Sequence, residues 1–159
     1  MKMPTLPLLL CALVLLNGVA ESQGTRQVCP QGWSLANGRC FKYVSGHLPW
    51  AQAERNCLSM RGNLASVHSP VEYQAVQKIM FWATHRVERA WIGGSNAAQN
   101  NVWLWSDGRP MTYTNWCRGE PNNHGRIEHC LEMNHPGNNC WNDLSCALLR
   151  PSVCVLKEG

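Results

Sequence analysis

The sequence predicts a disulfide-rich domain that mixes helices with short strands, an α+β fold class. Three observations point there. Two segments with helical spacing lie in the first half, short strand-like pieces stand before and after them, and eight cysteines remain once the N-terminal apolar segment is set aside.

That segment is the first element. Lys2 provides a positive start, residues 6–16 are apolar except for Pro7, and Gly18-Val19-Ala20 has the small-x-small pattern of a signal-peptidase site. Residues 1–20 therefore read as a signal peptide, which predicts a secreted, extracellular chain beginning at Glu21. The apolar run is too short to span a bilayer and no second one of spanning length follows, so no membrane span is expected. Residues 21–28 form a short polar leader, and 29–155 have the length of one domain with one core. Without Lys2 the chain carries 13 basic against 10 acidic residues and no Lys/Arg run, which implies neither nucleic acid nor an anionic membrane as a partner.

Of nine cysteines, Cys11 lies in the signal peptide; Cys29, Cys40, Cys57, Cys117, Cys130, Cys140, Cys146 and Cys154 remain. An even number in a secreted chain indicates a disulfide framework, and the 105 pairings open to eight cysteines are not resolved by spacing. Zinc is disfavoured because neither C-x-x-C nor H-E-x-x-H occurs.

Asn37-Gly38 is a strong turn signal between two short strands, around Trp33 and over 39–43. Pro49 opens a helix whose apolar positions Trp50, Ala53, Cys57 and Met60 recur at helical spacing, and Gly62 is expected to end it. Ser69-Pro70-Val71-Glu72 is a capping-box start for a second helix running to about Trp82 and burying Val71, Ala75 or Val76, and Ile79. Trp91-Ile92 and residues 102–105 look like strand pieces. Residues 106–139 read as long loops rich in Gly, Pro, Asn, Asp and His, which are uncommon unless functional or stapled. Trp50, Trp91, Trp103, Trp105 and Trp141 are expected to fill the core rather than line a site.

Trp91-Ile92-Gly93-Gly94, Trp105-Ser106-Asp107-Gly108, Glu120-Pro121-Asn122, Trp141-Asn142-Asp143 and the cysteine spacing together resemble the C-type lectin-like domain, from Cys29 to Cys154. Within that family the chain looks most like soluble fish C-type lectins and the related type II antifreeze proteins, which share Trp116-Cys117. The resemblance implies two helices flanking two small antiparallel sheets with a long loop region. It also implies the pairings Cys29–Cys40, Cys57–Cys154, Cys117–Cys140 and Cys130–Cys146, and a cis bond at Pro121. In the chain-entropy model a loop of about a hundred residues, such as 57 to 154, is worth up to ~4.7 kcal/mol.

Calcium takes six to eight oxygen ligands, mostly carboxylates and amide carbonyls. Glu120, Asn122, Glu128, Asn142 and Asp143 offer three carboxylates and two amides, and all five coincide with the family's main calcium and sugar positions. One calcium is therefore expected as cofactor. A second, auxiliary site is not, because Asn96, Asn100, Asn123 and His129 stand where acidic residues are needed. Two vicinal sugar hydroxyls would bind the ion, with Glu120 and Glu128 accepting hydrogen bonds, Asn122 and Asn142 donating them, and Asp143 completing the carbohydrate-binding set. In the family, Glu-Pro-Asn accompanies mannose-type ligands and Gln-Pro-Asp galactose, so the resemblance implies mannose-type glycans as partners. His124 is placed either to pack against the sugar ring or to sit in solvent. Acid should release the ligand by protonating the carboxylates. A single shallow site is expected to bind weakly, near the millimolar range, so useful affinity would need several sites presented together; the sequence shows no stalk and does not specify an oligomeric state.

Two other readings stand beside this one. Ice binding follows from the antifreeze kinship, although Ala97 and His129 replace the cysteines of one antifreeze bridge and Glu-Pro-Asn suits a sugar better than ice. A calcium-free domain that binds a protein partner is the other. No nucleophile–base arrangement suggests an enzyme, and no N-x-[ST] sequon occurs. Innate recognition of microbial mannose-type sugars is the role the family implies.

Overall fold

Asn37 and Gly38 both take positive φ, 48° and 75°, and so close a two-residue hairpin between β1 (Ser34–Ala36) and β2 (Arg39–Leu48) in which Ala36 faces Arg39. The structure, a computed structural model, describes residues 26–159; residues 1–20, expected as a signal peptide, and residues 21–25 of the expected leader lie outside the described residues.

Helix α1 (Trp50–Ser59) follows, with Pro49 as its N-cap, one position before the first turn, and with Ala53 and Cys57 buried. Gly62 does not end it. The reversal falls at Arg61, with φ 65°, and Gly62 already belongs to β3 (Gly62–Leu64). Glycine is needed there for proximity, because a Cβ on Gly62 would lie 2.4 Å from the Val155 carbonyl oxygen. Gly62→Ala should therefore cost about 1–3 kcal/mol of stability by forcing β3 off its neighbour. Denaturant unfolding with the disulfides intact measures this, and a cost below about 0.5 kcal/mol would show that the strand can shift.

Helix α2 (Pro70–Thr84) starts as its sequence requires, the Ser69 hydroxyl accepting the Glu72 N–H at 3.1 Å. The Glu72 carboxylate, however, does not close the box on Ser69. It accepts the His68 N–H and the Arg39 guanidinium, both at 3.0 Å, and is itself buried. That inward pull fixes the rotation of the helix. Tyr73, Val76 and Met80 line the buried stripe, Ala75 and Ile79 are only partly covered, and Val71 is 69% exposed, contrary to expectation. His85, at φ 56°, closes the helix.

The second half supplies β4 (Ala90–Ser95), β5 (Leu104–Trp105), β6 (Glu128–His135), β7 (Cys140–Ser145) and β8 (Arg150–Leu156). β6 corrects the sequence reading, which placed its residues in a loop. Cys130 to Asn134 are all buried, so neither face shows the alternation that betrays a half-buried strand. The hydrogen-bonded path runs β1-β2-β8-β4-β6-β7, with β3 on β8 and β5 on β4. All pairings are antiparallel except β4 with β8, where Trp91 meets Ser152 in parallel register. That contact joins the two antiparallel parts, β1-β2-β8-β3 and β5-β4-β6-β7, into one mixed sheet.

Trp91, Trp105 and Trp141 are buried, while Trp50 and Trp103 pack against the core from partly exposed positions. Tyr73, Trp105, Tyr113 and Trp116 all meet Trp141 edge-on, with ring centroids 5.5–6.2 Å away, the geometry aromatic quadrupoles favour. Four disulfides staple the domain: Cys29–Cys40, Cys57–Cys154, Cys117–Cys140 and Cys130–Cys146. No described helix is long and apolar enough to cross a membrane.

Candidate functional site

The loop between β5 and β6 is pinned to the sheet immediately before the candidate residues. Cys117 N–H donates to Trp141 O and Trp141 N–H to Asn115 O, each at 2.8 Å, and the Cys117–Cys140 bridge lies alongside. Gly119, at φ 82°, turns the chain so that Glu120 N–H reaches Cys117 O at 2.9 Å. The Glu120–Pro121 peptide bond is cis.

Beyond it, one side chain of β7 holds the loop. The Asp143 carboxylate accepts the backbone N–H of Asn122 at 3.1 Å and that of Asn123 at 2.7 Å. Asn122 Nδ2 donates to Glu120 Oε1 at 3.1 Å, and its Oδ1 accepts the His124 N–H at 3.0 Å. The same His124 N–H lies 2.9 Å from Glu128 Oε1, while Glu128 N–H donates to Asn123 Oδ1 at 3.2 Å. Glu120, Asn122, Glu128 and Asp143 thus form one hydrogen-bonded cluster, with the exposed His124 at its outer edge.

Asn142 stands apart from this cluster. It is buried, and its Nδ2 donates at 3.1 Å to Glu132 Oε1 directly across the ladder. Glu132 is fully buried and is paired through Oε2 with Arg150 Nε at 2.8 Å, while His135 Nδ1 lies 3.4 Å from Oε1. Sequence reasoning missed Glu132 and Arg150, and it noted Asn123 only as an unsuitable auxiliary-site position, not as a support of the loop. For Glu132 the available signal was an acid set among Cys130, Leu131 and Met133. For Asn123 there was none beyond its place in the loop. Of the auxiliary-site positions, Asn96 is buried with Oδ1 2.9 Å from His129 Nδ1, and Asn123 is spent on the loop as described.

The cluster is electrostatically unbalanced. Glu120 Oε2 is removed from solvent and has no hydrogen-bond partner among the described residues. As ionised carboxylates, Glu120 and Asp143 have no proton to share; protonated, Glu120 can donate to Asp143. Burial first, then that hydrogen bond and the Asp143 charge, push the Glu120 carboxyl up to about 7. Glu128 is also raised, mainly by burial, with the Asp143 charge adding to it and the His124 N–H opposing.

Among the described residues, no three carboxylate, imidazole or thiolate groups converge as a metal-holding cluster. The donors here are mixed, carboxylates with amide oxygens, as a hard cation prefers. An unpartnered buried carboxylate oxygen beside two further acids fits such an ion. Asn142 would contribute Oδ1, since its Nδ2 is engaged with Glu132.

The profile of the family described as the lectin C-type domain matches residues 46–156. Ladderlectin of Oncorhynchus mykiss is 40% identical over 181 aligned positions, covering 99% of this chain and 95% of its own. The galactose-specific lectin nattectin of Thalassophryne nattereri is 36% identical, with 92% of this chain and 91% of its own covered. Among solved structures, herring type II antifreeze protein superposes with a TM-score of 0.76 at 34% identity, over 82% of this chain and all of that one (100%). A profile match across most of the chain, full-length relatives and a shared fold agree: the chain belongs to the C-type lectin domain family.

Proposed function

We propose that this chain is a secreted, calcium-dependent lectin that binds mannose-type glycans through one calcium ion. The ion would be held by Glu120, Asn122, Glu128, Asn142 and Asp143. The observation that carries the reading is the unpartnered Glu120 Oε2, shut off from solvent beside Asp143 and within the field of Glu128. Glu120, Glu128 and Asp143 would hold a divalent cation that offsets their crowded charge, and the bound ion would supply coordination to sugar hydroxyls. Around it the protein groups would act as sugar readers: Glu120 and Glu128 accepting, Asn122 and the second Nδ2–H of Asn142 donating, while Asp143 holds the loop that carries Asn122. The exposed His124 is assigned the role of packing against the pyranose. Secretion rests on the signal-peptide pattern of residues 1–20. Innate recognition of mannose-bearing surfaces is the biological role that suits these properties.

Retention of the oxidised protein on immobilised mannose, with calcium and then with EDTA, tests the proposal. Retention in calcium and complete release by EDTA are expected, and the Glu120→Gln/Asn122→Asp double variant should move toward galactose by exchanging donor and acceptor across Pro121. Nattectin is named as galactose-specific, so a galactose resin run in parallel decides the sugar class. Preference of the native chain for galactose would overturn the mannose assignment and leave the calcium site standing. No retention on either resin would favour ice, the second reading, which the likeness to herring type II antifreeze protein supports. Thermal hysteresis of the same sample measures that directly.

A further inference from the structure

A second charged site shares no residue with the calcium cluster. Arg39 of β2 is only 7% exposed, and its Nη atoms are fully engaged. Nη1 donates to Glu72 and to Ser66 O at 3.0 and 3.1 Å, and Nη2 to Ser66 Oγ and Asp107 at 2.8 and 3.4 Å. Its Nε–H is buried and has no hydrogen bond among the described residues. Arg39 lines a cavity of about 270 Å³ with Asp107, Arg109 and Glu158 among its walls. An unmet guanidinium donor shut off from solvent at the wall of a cavity is a costly feature unless a partner reaches it.

The C-terminal tail fills it in part. The Glu158 carboxylate bridges the two arginines, with Oε2 2.5 Å from Arg109 Nη2 and Oε1 3.8 Å from Arg39 Nε. The first distance is a firm charge-assisted contact; the second is too long for a hydrogen bond. The reason is a short tether. Lys157 N–H is held by Arg61 O at 3.0 Å, leaving Glu158 only one residue of slack. The tail thus marks where a carboxylate belongs but does not reach far enough to satisfy Arg39.

We propose that this cavity is a binding site for the carboxylate of a small acid, an acidic monosaccharide of the uronic type, and that Glu158 is its tethered competitor. A free carboxylate is not held back by the chain and can donate nothing but accept twice, once from Arg109 and once from the Arg39 Nε–H. The cavity has room for one sugar ring, and neither calcium nor the 120–143 loop takes part. The same carboxylate chemistry is available from Glu158 of a second copy, which would instead give a concentration-dependent dimer.

Titration of the full oxidised chain with sodium glucuronate, followed by amide chemical shifts, tests this. Calcium is removed beforehand on a chelating resin, because EDTA is itself a polycarboxylate. Glu158→Gln removes the competitor and should tighten glucuronate binding on the order of tenfold, the scale on which a tethered group outcompetes a free one. Glucose should cause no shifts, and Arg109→Gln, at a half-exposed position, should abolish the gain in the Glu158→Gln background. Equal affinity in the native and Glu158→Gln chains, equal response to glucose, or no binding at all would overturn the assignment. A native dimer that Glu158→Gln dissociates would instead place the second copy's tail in the cavity and overturn the acid as ligand. Retention on mannose with calcium should be the same in Glu158→Gln and native chains, so failure of one proposal leaves the other readable.

Discussion

Glu120→Gln should leave the calcium-free fold at least as stable as the native one and abolish its stabilisation by calcium. The carboxylate it removes lies beside Asp143 and near Glu128, and its Oε2 is shut off from solvent without a partner, so in the absence of a cation its charge costs stability. The amide keeps the size of the side chain and can donate to Asp143, relieving that repulsion. Calcium at a hundred times its dissociation constant adds about 2.7 kcal/mol to a protein that binds it only when folded. For a domain of this length that is a rise in melting temperature of roughly 5–10 °C. Differential scanning calorimetry of the two proteins, with and without calcium, measures both halves of the expectation. A native chain unmoved by calcium would remove the proposed ion; a variant that still responds would remove Glu120 from its ligands.

Arg39→Met should be the most destabilising single change away from the cysteines, costing about 3–5 kcal/mol. One guanidinium ties the hairpin, the start of α2 and the Asp107 turn together through Glu72, Ser66 and Asp107. Methionine fills much of the volume but leaves Glu72, 1% exposed, as a buried charge held only by the His68 N–H and a 3.4 Å contact from Asn37. The short Ser66–Asp107 contact loses its cationic partner at the same time. Guanidinium unfolding under non-reducing conditions gives the value. Restoring stability with a second change, Glu72→Met, would identify the uncompensated charge as the cause, whereas no restoration would assign the loss to packing.

The parts of the fold that were legible in the sequence are those whose signals are local. Asn37-Gly38 specifies its turn because both residues tolerate positive φ, and Ser69-Pro70 starts α2 because a hydroxyl and a fixed φ act within one turn. β6 was not legible. A strand buried on both faces carries no alternation, and Glu132 and Asn134 inside it look like loop residues until Arg150, Asn142 and Tyr73 are seen to meet them. The stripe of α2 was misplaced for a related reason: Val71 is the apolar choice, but the Arg39–Glu72 pair, 33 positions apart, sets the rotation of the helix.

The candidate site divides in the same way. The residues Glu120, Asn122, Glu128, Asn142 and Asp143 were found by their resemblance to a family pattern and by the oxygen chemistry a hard cation requires. Their arrangement was decided elsewhere. Asp143 clamps Asn122 from 21 positions away, Glu132 turns the Asn142 amide inward, and the tail glutamate meets two arginines that nothing in their neighbouring residues links. By itself the sequence determined which helices and turns form, which cysteines are available and which side chains could bind an ion. Only the tertiary structure decided which buried charges find partners and which do not. The cost of an unpaired buried group depends on what the rest of the chain brings within about 3 Å of it, and separation along the sequence carries no record of that distance.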